Sequence, residues 1–215
     1  MRVVLVAGAV ALAAIVGAYM MPGPRIVDGE SDAAPDLEDY GQQAIALADG
    51  YTDGYSMDYN QVAFLMALRM GEGTQGQDGY RTLFGGGLFD SFDTHPALAG
   101  WRGLPLSDAL CAGAGLGPGC VSTAAGAFQF TKPTWVRIAS KLRLPDFSPA
   151  CQDAAAWELI REKGADVDVL AGRTAAAIAK VRKIWASLPG AGYGQHEVAI
   201  ASFNKVFTQA GGVLA

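Results

Sequence analysis

Between residues 60 and 70 apolar side chains return with the period of a helix. Val62, Leu65 and Met66 fall on one face, flanked by Phe64 and Leu68. Gly71 and Gly73 stop the pattern, one on each side of Glu72. Tyr80 to Phe84 and Leu88 to Phe92 then read as two short strands around Gly85-Gly86-Gly87, which predicts a β-hairpin. From residue 94 to 121 glycine, proline, alanine and leucine dominate, so irregular structure is expected, with Trp101 as its one large anchor. Helical spacing resumes at Pro133, with Thr131 as a capping residue and Trp135, Ile138 and Leu142 on one face. Ser148-Pro149 opens the next helix with a capping serine and a proline in the first turn. It runs through Trp157 and Ile160 to Gly164. Two further helices are expected over 174–185 and 195–210, the last closed by Gly211-Gly212. Residues 58–215 therefore predict one α+β domain, mostly helical with a small hairpin.

The region before residue 58 follows other rules. Val3 to Met21 is an uncharged apolar run of 19 residues behind Arg2. Such a run is just long enough to cross a bilayer and is rich in Ala and Gly. Its charged-then-apolar layout suits either an uncleaved signal anchor or a signal peptide cut after Val16-Gly17-Ala18. Pro22-Gly23-Pro24 ends it, and a linker follows to residue 57. Residues 22–60 hold nine acids and one base, 1 − 9 = −8, whereas residues 61–215 hold 14 bases and 12 acids, 14 − 12 = +2. The chain thus divides into an apolar helix (1–21), an acidic linker or tether (22–57) and a nearly neutral folded domain (58–215). A neutral domain without a basic stripe excludes nucleic acid as the expected partner. Nothing in the pattern calls for a second copy, so a monomer is expected.

Composition adds two constraints. Cys111 and Cys120 bracket Ala-Gly-Ala-Gly-Leu-Gly-Pro-Gly, a loop that needs a staple, and in an exported protein they are expected to form a disulfide. Cys151 lies in a helical stretch and reads as a buried free thiol. No Cys or His spacing suggests a metal, and no cofactor motif is present; His95 and His196 are the only histidines. His95, before Pro96, reads as a structural histidine rather than a proton shuttle.

The chemistry concentrates on Glu72. A glutamate at a helix C-terminus sits at the negative end of the helix dipole, which disfavours its ionised form and suits a general acid. The residues around it extend this. Gly-Glu72-Gly-Thr, Gly79-Tyr80, Phe84-Gly-Gly-Gly-Leu-Phe89 and His95-Pro96 come first. Ser122-Thr-Ala-Ala-Gly-Ala-Phe-Gln129, Asp146-Phe-Ser-Pro149 and Gln152-Asp153 follow. The last and longest block is Trp185-Ala-Ser-Leu-Pro-Gly-Ala-Gly-Tyr-Gly-Gln195. Together, and in this order over about residues 60–212, they resemble the phage lambda endolysin family of lytic transglycosylases, of lysozyme-like fold.

That resemblance implies cleavage of the β-1,4 bond between N-acetylmuramic acid and N-acetylglucosamine of peptidoglycan, leaving 1,6-anhydromuramic ends. Glu72 would be the single general acid and then base, with peptidoglycan glycan strands as partner. Ser122, Gln129 and Phe128, in the segment matching the family's sugar cleft, together with Tyr80 and Tyr193, are the expected substrate contacts. Ser122 and Gln129 have an alternative use in capping and backbone bonding, and Tyr193 in packing. Trp101 is the one tryptophan outside a helical face and could stack on sugar. The chain departs from the family at Thr94, where an acid usually precedes His-Pro, and at Ala127-Phe128, where relatives carry a long side chain and Tyr. A hydrolytic muramidase would need a second carboxylate, for which Asp78, Asp90 and Asp93 are available. A non-catalytic wall-binding or virion protein is the third class. The expected setting is the periplasm of a Gram-negative host, with residues 3–21 holding the chain at the inner membrane if uncleaved.

Overall fold

The computed structural model describes residues 58–193 and 196–215. The apolar segment 1–21 and the acidic linker 22–57 lie outside the described residues. Among the described residues no helix is long and apolar enough to cross a membrane.

Helix α1 (Tyr59–Gly71) is the axis of the domain. Asp58 caps it, its carboxylate accepting the Asn60 N–H at 2.8 Å. Every residue from Val62 to Arg69 is buried, so the helix is enclosed on all sides and not only on the face that the sequence spacing marks. Its end forms a Schellman turn. Thr74 N–H reaches Arg69 O at 2.9 Å, Gly73 N–H reaches Met70 O at 3.1 Å, and Gly73 takes the required positive φ of 69°. Glu72 is the C-cap residue of that turn.

The small sheet is not where the spacing places it. Residues 80–92 form a tight return with a single bridge, Thr82 to Leu88, and Gly79–Arg81 is a 3-10 turn. The paired strands are β1 (Leu104–Pro105) and β2 (Val121–Ser122), antiparallel, inside the stretch expected to be irregular. The physical reason lies in the hydrogen bonds of Leu83, Phe84 and Thr82. The backbones of the two arms meet only at Leu83 N–H to Gly87 O and Phe89 N–H to Arg81 O. Leu83 also bridges to Ala125, Phe84 N–H bonds Ala124 O and Gly126 N–H bonds Thr82 O, so the turn divides its pairing between itself and the 122–130 loop. Helix α2 (Asp108–Gly113), capped by Ser107, lies between β1 and β2. The expected Cys111–Cys120 disulfide is present. With Leu106, Phe84 and Leu110 it forms a small core of its own.

The rest is helical. Helix α3 (Lys132–Leu142) starts where expected, but the Thr131 hydroxyl bonds Thr134 instead of capping. Helix α4 (Pro149–Glu162) opens on Ser148, whose hydroxyl accepts the Cys151 N–H, and ends at Gly164 with φ +61°. Cys151 is a buried free thiol. Helices α5 (Asp166–Leu170), α6 (Thr174–Val181) and α7 (Ile200–Gln209) complete the domain. Helix α6 is shorter than expected: the chain leaves the helix after Val181, which lets both Ile184 and Trp185 turn into the core. Helix α7 also starts late, because Val198 spends its N–H on Ser187 O at 2.8 Å instead of on a helical turn. Helices α4, α5 and α7 pack on α1, with Phe203 edge-on to Phe64 at 5.1 Å between ring centres.

Candidate active site

Glu72 is only 2% exposed. Its Oε1 accepts the Ser187 hydroxyl at 2.5 Å, and its Oε2 has no hydrogen-bond partner among the described residues. Among the described residues no ion pair reaches it. Burial raises its pKa from the ordinary carboxylate range to about 8, with the Ser187 bond pulling the other way. Desolvation, rather than the helix dipole, is thus the main cause of the shift. At neutral pH the group carries its proton. It is an acid with one oxygen anchored and the other uncommitted.

The turn carrying Glu72 is locked from behind. The Thr74 hydroxyl donates to Ala127 O at 2.5 Å, and Ala127 N–H donates to Gln152 Oε1 at 2.8 Å. One residue of the 122–130 loop, Ala127, is therefore clamped between the Glu72 turn and α4. Gln152 also donates to Tyr80 O and Phe147 O. Gly126 makes this clamp possible: it has φ +79°, and a Cβ there would lie 2.2 Å from Gln152 Oε1. Arg69, 3% exposed, donates to Thr74 O and Gly76 O and lies 4.4 Å from the centre of the Tyr80 ring. Tyr80 in turn donates its hydroxyl to Asp153 at 2.8 Å.

The residues expected to touch substrate take up distinct places. Ser122 is buried and its hydroxyl accepts the Ala124 N–H at 3.3 Å. Gln129 is buried at a positive φ of 47°, and its amide donates to Thr82 O and Gly126 O. Both thus perform the capping and backbone-bonding role. The Phe128 ring is fully buried in the core, and its carbonyl accepts the Trp185 indole N–H at 3.2 Å. Tyr80 is tied to Asp153. Tyr193 is half-buried: its hydroxyl donates to Lys183 O at 3.1 Å and the Lys183 ammonium lies 5.0 Å from its ring centre. Trp101 is half-buried and packs on the main core.

His95 is structural. Its Nε2–H donates to Phe130 O at 2.8 Å and its Nδ1 accepts the Ala97 N–H, which fixes the neutral tautomer; burial lowers its pKa to about 4. Asp78, Asp90 and Asp93 are all exposed, and Asp90 pairs with Arg81 at 3.4 Å. A shallow pocket of about 250 Å³, bordered by Asp93, Trp135, Leu144 and Asp146, is not lined by Glu72, Ser122, Gln129 or Tyr193. Among the described residues no group of acids, histidines or cysteines is arranged to hold a metal.

Sequence reasoning overlooked Ser187 and the Arg69–Tyr80–Asp153 chain. Ser187 lies inside the Trp185–Gln195 block, where Tyr193 drew attention instead. Asp153 stands in the quoted Gln152-Asp153 pair, but its partner Tyr80 is 73 residues away.

The endolysin family model matches residues 62–214. The endolysin of Escherichia phage P2 is 39% identical over 166 residues, covering 73% of this chain and 95% of the relative. That of Escherichia phage lambda is 38% identical over 158 residues, covering 71% and 91%. Bacteriophage lambda lysozyme, solved in complex with a chitohexasaccharide, superposes with a TM-score of 0.63 at 36% identity, covering 75% of this chain and 99% of that one. A second structure of lambda lysozyme gives 0.57 at 32% identity. A small two-stranded sheet within a mostly helical domain agrees with these matches: the chain belongs to the endolysin family and is a lysozyme-like, cell-wall-lytic enzyme.

Proposed function

We propose that this endolysin is a lytic transglycosylase that cuts the β-1,4 bond between N-acetylmuramic acid and N-acetylglucosamine of peptidoglycan. The carrying observation is the state of Glu72: protonated at neutral pH, held at Oε1 by Ser187, with Oε2 uncommitted. The neutral carboxyl gives its proton to the glycosidic oxygen as the bond to the muramic C1 breaks. The carboxylate left behind then takes the proton of the muramic C6 hydroxyl as that oxygen bonds to C1. Glu72 is restored, no water is consumed, and the product carries a 1,6-anhydro ring. The scheme needs one carboxyl, which fits a site whose acid is buried while Asp78, Asp90 and Asp93 are exposed. The hexasaccharide held by the lambda relative supports a glycan as ligand. On this reading Ser122, Gln129, Phe128 and Tyr80 shape the loop and turn bonded to the Glu72 segment, and Tyr193 offers a partly open ring.

Mass analysis of digested peptidoglycan tests the reaction. Anhydro ends are expected from the wild type and no cleavage from Glu72→Gln; reducing ends would assign a hydrolase instead. We also propose that the chain acts after export, in the periplasm of a Gram-negative host, with residues 3–21 as a retained anchor or a cleaved signal. Cell fractionation with N-terminal sequencing tests this, and an intact chain confined to the cytosolic fraction would refute it.

A further inference from the structure

Ser187 is built into its place more firmly than a chance neighbour of Glu72 would be. It is 3% exposed and stands close to two fully buried anchors, Trp185 and Leu188. Trp185 is itself fixed by its bond to Phe128 O, and the Ser187 carbonyl accepts the Val198 N–H at 2.8 Å. Approach from the other side depends on Gly71. A Cβ at that position would come within 2.9 Å of the Ser187 hydroxyl, so the helix end is open where the serine arrives. The segment beyond is closed by Glu197, whose two carboxylate oxygens accept Gly190 N–H and Gly192 N–H at 2.6 Å each. Three separate features therefore converge on one hydroxyl–carboxyl bond.

We infer that Ser187 is a positioning residue for the reaction: its hydroxyl, donated to Oε1, assigns the transferable proton of Glu72 to Oε2 and then stabilises the carboxylate formed midway. A neutral carboxyl has one proton and two oxygens. An oxygen that already accepts a hydrogen bond is the better carbonyl, so the proton resides on the other. The same donor binds the anion more strongly than the acid, since hydrogen bonds to charged acceptors are shorter and stronger. Ser187 thereby serves both halves of the cycle, the donation and the recovery, without moving and without touching the sugar. This rests on Glu72 being the acid.

The groups that face this pair bear on any pH effect. On the helix end, Arg69 points to Thr74 O and Gly76 O, and it is paired through Tyr80 with Asp153. On the 188–198 segment, Glu197 is bound to backbone N–H groups, and Lys183 donates to Ala191 O beside the Tyr193 ring. None of these is hydrogen-bonded to the Glu72 carboxyl, which leaves Ser187 as that carboxyl's one hydrogen-bond partner among the described residues.

The test compares wild type, Ser187→Ala and Gly71→Ala by the pH profile of kcat/KM, by kcat and KM separately, and by 13C NMR titration of the Glu72 carboxyl. Ser187→Ala is expected to move the alkaline limb, and the NMR midpoint with it, upward by about one pH unit, a tenfold change in the protonation constant. It should lower kcat about tenfold or more, with KM little changed. Gly71→Ala, which displaces the hydroxyl instead of removing it, should shift both in the same direction by less. It also keeps the question open to experiment should Ser187→Ala fail to fold. A purely structural serine would lower the melting temperature and leave limb and midpoint in place, and that result overturns the inference. If the limb stays while Glu72→Gln is dead, the positioning role fails and the assignment of the acid stands. If Glu72→Gln remains active, both fail together.

Discussion

Glu72 and Asp153 are both 2% exposed, and burial lifts both, to about 8 and about 7. Their surroundings differ. Asp153 receives the Tyr80 hydroxyl on both oxygens, at 2.8 and 3.1 Å, and the Arg69 guanidinium lies over the face of that ring. Glu72 receives one serine on one oxygen. Equal burial therefore produces two kinds of acid. The carboxyl bound on both oxygens by one hydroxyl, with a cation nearby, is a structural tie, joining α4 to the 3-10 turn and, through Arg69, to the Glu72 turn. The carboxyl with one spare oxygen is the proposed acid. A perturbed pKa marks both residues; what separates them is that one hydroxyl spans both oxygens of Asp153 with a cation nearby, whereas one oxygen of Glu72 is left unengaged.

The comparison breaks most sharply at Glu72. Replacing it with Gln keeps shape and burial but removes the proton. Activity on peptidoglycan is expected to fall by about 10³-fold or more, measured as muropeptide release. The same change at Asp153, Asp153→Asn, should leave cleavage in the folded fraction measurable. Comparable losses at the two positions would erase the distinction.

Stability against pH gives the next largest effect, and its sign follows from the raised pKa. Between the unfolded value of 4.5 and the folded value of about 8, folded Glu72 keeps a proton that the unfolded chain has lost. Stability from this group is thus complete below pH 4.5 and declines as pH rises toward 8, with a limiting slope of about 1.4 kcal/mol per pH unit. Glu72→Gln lacks this slope, so urea unfolding at pH 5 and pH 8 should show the variant gaining on the wild type at the higher pH. Parallel curves would mean that Glu72 titrates normally in the fold. A reactive group that weakens its own protein as pH rises is the cost of keeping that group dry.

Asp153→Ala should act through the fold. It leaves the Tyr80 hydroxyl without its acceptor in a buried place and removes a carboxyl that interacts electrostatically with Arg69, for an expected loss of about 2–4 kcal/mol in urea unfolding. A loss under half of that would show that the tie carries little.

Much of this architecture is legible in the chain, and the illegible parts share a cause. Helix α1 announces itself because its apolar spacing and its terminal glycines are local signals, and Ser148-Pro149 marks the start of α4 for the same reason. The tandem glycines 85–87 point to a hairpin, and Thr82 does bridge to Leu88, yet Leu83 and Phe84 also pair with Ala124 and Ala125, some forty positions on. Strands of two residues, such as Leu104–Pro105, carry no period at all. Glu72 could be singled out because glycines and a helix end frame it. Ser187, a small polar residue among Trp185, Ala186 and Leu188, gives no local sign that it meets Glu72, 115 positions earlier. Ser122 and Gln129 stand out in the sequence as expected contacts, but the bonds they make to the backbone, of Ala124 for Ser122 and of Thr82 and Gly126 for Gln129, depend on how the loop folds.

Tyr80→Phe sharpens the comparison with the smallest change, the loss of one oxygen. It strips Asp153 of its donor and makes that carboxyl more like Glu72, buried with little to hold it. The ring stays, so the stacking of Arg69 over it survives. Stability should drop by about 1–2 kcal/mol, the cost of leaving a buried acceptor unmet. Because the hydroxyl opposes the effect of burial on Asp153, its removal should raise the pKa of that acid further and extend the pH range over which the fold weakens. KM for glycan should hold steady if the Tyr80 hydroxyl belongs to the tie. A KM rise of about tenfold, with stability unchanged, would instead return Tyr80 to the substrate side, because a bond to sugar is lost only when sugar binds.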